Sequence, residues 1–265
     1  MSYLDGNTTQ VYKDSDFLYE VGMNRMLGKS LVNKFGFNED VDVASGEEII
    51  AAFGGNFLPS NIITTAQTFT ITYNNTTDGL GQSGATMLLI DYLDVNYDLQ
   101  QGVHVLGSTG SDVTAFTGFG INRVVVIANG GAGWNVNDIT FTATTLGSIQ
   151  ALVPALTSVT QQVLYHTPIN YILMVNQIVI SVLKLTGGGG DPRVILRLYS
   201  YSRVTLTRYL VFQKSIDTTV ENTIILSFSQ PFNFGGREVI YLKASTDKDN
   251  TSITARLSGV LEIVQ

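Results

Sequence analysis

The 265-residue chain has no cysteine, only two histidines (His104 and His166), one tryptophan and five prolines, and 14% of its residues are charged. Without cysteine there is neither a disulfide framework nor a thiolate metal site. Two histidines cannot build a His-rich metal centre. The patterns G-x-S-x-G, H-E-x-x-H and G-x-x-x-x-G-K-[ST] are also missing, so the chain shows no serine-hydrolase elbow, zincin helix or phosphate cradle. Paired carboxylates for glycoside cleavage would have to meet in space. Asp91, Asp94 and Asp98 are the nearest candidates, and solvated turns are their plainer reading. No catalytic, cofactor-binding or metal-binding residue is assigned, and no enzyme activity is expected. The opening MSYLDGNTTQ has neither the basic start nor the apolar run of a signal peptide.

What the chain does have is glycine (26 residues), a 44% hydrophobic content and many threonines and valines. Short alternating runs separated by turn residues predict an all-β protein. Tyr171–Lys184, YILMVNQIVISVLK, is the most apolar of them. Asn176, Gln177 and Ser181 interrupt it, so it is no membrane helix, and its β-branched residues favour a strand. Both of its faces are mostly apolar, which predicts cover on both sides: the core on one, another subunit on the other. Other expected strands include Thr68–Tyr73, Met87–Asp91, Val103–Leu106, Ile121–Ala128, Ile139–Thr145, Val194–Tyr201, Val204–Phe212, Thr223–Phe228, Glu238–Leu242 and a clean alternation over Ile253–Ile263.

This pattern divides the chain into an N-terminal arm (1–35), an acidic β domain (36–155) and a C-terminal β domain (156–265). The fold expected is two antiparallel β-sandwich or jelly-roll-like units preceded by an arm with a short helix. Asp14 or Ser15 is placed to cap a helix over Asp16–Leu27, with Gly28 ending it. Tyr3, Leu4, Tyr12, Phe17, Leu18 and Tyr19 in the arm are candidates for anchoring on another protein; packing on their own subunit is the competing reading. Ser45 opens a capped turn, with Glu47 and Glu48 at the start of a short helix. Asp94-x-Asn96-x-Asp98 has the spacing of a calcium-loop start, but lacks that loop's glycine and glutamate and reads better as a hairpin turn. His104 falls in a strand and His166 in a turn, and Gly187–Gly190 is a flexible connection.

Residues 1–155 hold 5 Lys/Arg against 15 Asp/Glu, while residues 156–265 hold 10 against 7, so a net −10 is joined to +3. That +3 is a weak footprint for nucleic acid. Arg193, Arg197, Arg203 and Arg208 are expected to pair with carboxylates of the acidic half or of a neighbouring copy. Tyr171, Leu173 and Val175, with Arg193 and Arg197, are therefore the candidates for an oligomer interface.

Several stretches resemble a family of virion structural proteins of tailed bacteriophages common in marine phages. They are KFGFN at Lys34–Asn38 with Asp40-Val41-Asp42, EEIIAAFGGNFLP at Glu47–Pro59, and IDYLDVNYDLQQGVHVLG at Ile90–Gly107. INRVVVIANG at Ile121–Gly130, NDITFTA at Asn137–Ala143 and LYHTPINYILMV at Leu164–Val175 complete the set. They cover roughly residues 31–180, and none is a catalytic signature. The chain departs from the family pattern at Tyr92, where glycine is usual, and at His166-Thr167-Pro168, a looser Thr-x-Pro turn. The resemblance implies a head decoration or cement protein, a homo-oligomer with a trimer favoured, made in the host cytoplasm. Its implied partners are the major capsid protein and other virion proteins, with no nucleic acid and no membrane. The alternatives are a receptor- or glycan-binding tail or head-fibre module, with Trp134, Tyr92, Tyr97, Tyr199 and Tyr201 as sugar platforms, and a neck or tail adaptor.

Overall fold

Runs rich in Val, Ile, Thr and Phe become strands, and the glycine- and asparagine-rich stretches between them become turns. The computed structural model describes residues 3–4, 10–11, 14–185 and 190–264. Strand covers 55% of the chain and helix 4%, so the core is built from sheet against sheet. The strands in chain order are β1 (Tyr3–Leu4), β2 (Gln10–Val11), β3 (Lys29–Val41), β4 (Glu48–Ile49), β5 (Phe69–Thr72) and β6 (Ala85–Leu93). Next come β7 (Leu99–Val105), β8 (Ser111–Val113), β9 (Gly120–Asn129), β10 (Ile139–Ala143), β11 (Ile149–Val153) and β12 (Leu164–His166). The longest follow: β13 (Tyr171–Lys184), β14 (Arg193–Ser202), β15 (Thr207–Asp217), β16 (Thr223–Phe234), β17 (Glu238–Thr246) and β18 (Thr251–Ile263). One helix, α1 (Asp14–Gly22), precedes β3.

All pairings are antiparallel. Sheet I has the order β16-β13-β18-β3, and sheet II the order β12-β17-β14-β15, with β4 also pairing on β17. Sheet III runs β11-β10-β5-β8 and sheet IV runs β7-β6-β9. Sheets I and II share one buried cluster that includes Leu173, Ile178 and Ile180 of β13, Leu196 and Leu198 of β14, and Leu242 of β17. Sheets III and IV share another, with Phe69, Ile71, Leu88, Ile90, Val124 and Phe141. A third cluster of Ile49, Phe57, Ile62, Tyr199, Tyr201 and Tyr241 lies where the segment 49–62 covers sheet II.

Lys29–Val41, which the sequence division splits between the arm and the acidic domain, pairs along its length with β18 as an edge of sheet I. Its core-facing residues are Val32, Lys34, Gly36 and Asn38. At Gly36 the chain has no room for a Cβ, because the Ile50 carbonyl and the Val163 backbone nitrogen lie against it. That close approach seals one lateral end of sheets I and II.

Three local expectations are corrected. The helix runs Asp14–Gly22 rather than to Leu27, and Asn24, with φ 55°, turns the chain out of it. No helix follows Ser45: Glu48 and Ile49 pair with β17, because Ile49, Ile50 and Ala51 bury completely at the edge of sheet II. His166 ends a strand rather than sitting in a turn, and it is fully buried. Asp94–Asp98 does form the β6–β7 hairpin turn: the Asp94 carboxylate accepts the N–H of Asn96 (2.8 Å) and of Asp98 (3.0 Å). His104 lies in β7 beside Asp112, at 3.4 Å. Gly187–Gly189 lie outside the described residues.

Candidate assembly surfaces

The apolar character of both faces of β13 has a local cause. Against β18 its register shifts between Val175 and Gln177, a bulge that inserts one residue and reverses the alternation; against β16 the same step passes over residues 228–231 of β16. Leu173 and Val175 point inward before it, and Ile178, Ile180 and Val182 after it; all five are buried. Leu173 and Val175 are thus core residues, which corrects their placement at a subunit interface, and Tyr171 packs against the same core. Across the outer face of sheet I one row reads Ile225, Val179, Arg256, Phe35, and the next Ser227, Gln177, Ser258, Asn33. The face is mixed rather than a continuous apolar surface.

The described part of the arm rests on its own subunit. Val21 of α1 is 1% exposed, and Gly22 brings the helix close to Leu31 of β3. Lys29 pairs with Glu262 and lies 5.7 Å over the ring of Phe17. Leu18 and Tyr19 are exposed. Tyr3 and Leu4 pair with Val11 and Gln10 as the short β1–β2 ladder; Tyr12 lies outside the described residues.

The arginines divide by role. Arg197 is committed within the chain: it meets Glu47 at 2.9 Å, Gln213 at 2.9 Å and Ser245 at 3.1 Å. It pins the covering segment to sheet II, with help from the Tyr199 hydroxyl, which donates to the same Glu47 at 3.0 Å. Arg193 is exposed and pairs with Asp217 at 3.3 Å, a contact worth little in water.

Arg203 is buried where the two pairs of sheets meet. Its guanidinium donates to the Ile63 carbonyl (2.9 Å), the Phe119 carbonyl (2.6 Å) and His166 Nδ1 (2.8 Å). Because a guanidinium can only donate, Nδ1 is the acceptor and His166 is neutral with its proton on Nε2. Burial, Arg203 and Lys34 all hold the His166 pKa well below its usual value. Asn122 of β9 pairs with the His166 backbone in both directions, at 2.7 and 3.0 Å, and Lys34 donates to the Asn122 carbonyl. Two histidines in the sequence gave no sign that one of them ties the sheet pairs together.

The lateral end of sheets I and II opposite Gly36 is formed by the edge strands β15 and β16. Phe212 of β15 approaches Phe228 at 5.5 Å and Phe232 at 6.0 Å, and the latter two are 4.7 Å apart. All three rings are half-buried, while Tyr209, Leu210 and Ile225 are exposed. The sequence reading overlooked this surface. The signal was there: Thr223–Phe234 contains no charged residue.

No protein-family model matches the chain, and no curated protein matches it. Among solved structures, one of infectious bursal disease virus, Gx strain, aligns at 8% identity and TM-score 0.19, over 89% of this chain and 77% of that one. One of the Gt strain aligns at 10% identity and TM-score 0.15, over 90% and 78%.

The aromatic candidates for sugar binding scatter. Tyr199 and Tyr201 are buried under the 49–62 segment, a correction to their reading as sugar platforms. Tyr97 is stacked on Phe119 at 3.9 Å, with Arg237 over its ring at 4.8 Å. Tyr92 is stacked on Phe116 at 3.7 Å. Trp134 is the exposed one of the five, at 47%. Among the described residues no His, Asp and Glu side chains group as metal ligands, and no helix is long and apolar enough to cross a membrane.

Proposed function

We propose that the chain is a virion structural protein, a homo-oligomeric head decoration or cement subunit that works by binding and not by catalysis. Its sheets then form two β-sandwich units, one from sheets I and II and one from III and IV. One observation carries this reading. Glu47, Glu48, Asp112 and His166 Nδ1 are engaged in contacts within the chain, whereas an uncharged strand edge and half-buried phenylalanines remain uncovered. A subunit that completes its structure only in an assembly has that character. The resemblance of residues 31–180 to phage virion proteins points the same way. In this reading the first residues anchor on the capsid lattice and repeated weak contacts gain avidity from symmetry.

The test uses purified particles and a truncation. Antibody labelling should decorate the capsid surface, and absence of the chain from purified particles would refute the reading. Deleting residues 1–13 leaves Val21 and β3 in place, so that variant should keep the wild-type melting temperature and lose capsid binding. Full binding by the truncated chain would refute the arm as the anchor.

A further inference from the structure

Natural edge strands are commonly blunted by charge, because a row of free backbone N–H and C=O groups invites another strand. β16 spans 12 residues, TIILSFSQPFNF, with no charge, and its ladder with β13 skips residues 228–231, which include its single proline, Pro231. Among the described residues its only ladder is with β13, and β15 beside it pairs only with β14. Ile225 on β16 is 65% exposed. We propose that this open end is a two-fold interface with a second copy of this chain, β16 pairing antiparallel with β16 of the copy and β15 facing β15. The proposal rests on the assembly reading above and names its contact.

Charge selects a second copy as the occupant. β15 carries Arg208 near its start and Asp217 at its end. An antiparallel image therefore brings the basic start of one strand beside the acidic end of the other. Lys214 then lies opposite the apolar Val211 of the copy and meets no like charge. β16 has no charge to repel its own image. The self-complementarity that an isologous contact requires is thus present on both strands, and pairing would cover Tyr209, Leu210 and Ile225 together with the three phenylalanine rings.

The experiment is light scattering of the full chain over a concentration series, with circular dichroism to verify folding. Wild type should have a dimeric mass, or an even multiple of the chain. Ile225→Lys changes a side chain already in solvent, so it should fold; placing a charge on the apolar edge that pairing would bury should weaken association about tenfold or more. Arg208→Asp and Asp217→Arg should each weaken association, and the double exchange should restore it. Arg208 also lies over the Tyr199 ring at 4.7 Å and Asp217 already pairs with Arg193 at 3.3 Å, so if either single exchange disturbs the fold, Ile225→Lys alone decides. A trimeric mass, a monomer at every concentration, or an even-numbered oligomer indifferent to Ile225→Lys would each overturn this interface. The virion reading would still stand or fall on particle labelling.

Discussion

Glu48 is a carboxylate consumed by structure. It is 4% exposed; Oε1 accepts the Asp42 N–H at 3.1 Å, and Oε2 accepts the Gly55 N–H at 2.9 Å and the Asn38 amide at 3.2 Å. Hydrogen bonds to a charged acceptor are stronger than neutral ones, and removing the acceptor strands buried donors. Glu48→Ala should therefore lower stability by about 2–4 kcal/mol in urea denaturation. Lys34 is the opposite case. Burial, reinforced by Arg123 and only partly offset by Asp91, lowers its pKa to about 7. Between about pH 7 and the unfolded value of 10.5 the unfolded chain binds the extra proton, so this residue's contribution to stability rises with pH across that window. Lys34→Met should then be more stable than wild type at pH 6, and the advantage should shrink by pH 10 as measured by urea midpoints. A constant difference across that range would show that Lys34 is not the titrating group.

At the scale of the element, strand type was legible and strand partnership was not. Alternation in Ile253–Ile263 and the β-branched run in β13 name strands by themselves, since the periodicity is written in the side chains. Nothing local says that β3 belongs beside β18, because ladder partners are chosen by distant residues. The bulge at Asn176 left a trace in the sequence, as an apolar set that changes parity midway, but the same trace fits a strand covered on both faces. The ends of α1 were misread because Leu27 continues an apolar pattern after Asn24 has already turned the backbone. Of the candidate site, the arm residues were legible as large apolar groups outside a domain, whereas the β15–β16 end required knowing which strands lie at edges. The bulge gives a sharp test. Deleting Asn176 removes the inserted residue, so either Leu173 and Val175 or Ile178, Ile180 and Val182 must turn outward. Burying a large aliphatic side chain is worth about 1.5–3 kcal/mol, so the deletion should abolish folding, read as loss of the cooperative thermal transition. A folded deletion variant would show that β13 tolerates a shifted register.

For the whole molecule, the two sheet pairs are joined by a cationic polar cluster rather than by a purely apolar seam. Arg203 reaches it from the β14–β15 connection, Lys34 from β3, His166 from β12 and Asn122 from β9; burial lowers the Arg203 pKa to about 10, partly offset by Tyr97 and Tyr201. Two carbonyl oxygens and His166 Nδ1 take donors from the guanidinium's Nε and one terminal nitrogen, so the network holds one neutral imidazole as an acceptor beside the buried Arg203 and Lys34. Protonating that imidazole would set N–H against N–H and add positive charge where it is least tolerated. The unfolded chain accepts this proton near pH 6.5, while the folded chain resists it. Stability contributed here is present above about pH 6.5 and is lost as pH falls below it, at up to about 1.4 kcal/mol per pH unit. His166→Gln keeps an acceptor for Arg203 and removes the titration. Between pH 7 and pH 5 the wild-type urea midpoint should therefore fall further than that of His166→Gln, by the equivalent of about 1–2 kcal/mol. Equal falls in the two proteins would mean that carboxylates elsewhere, and not this junction, set the acid limit of the fold.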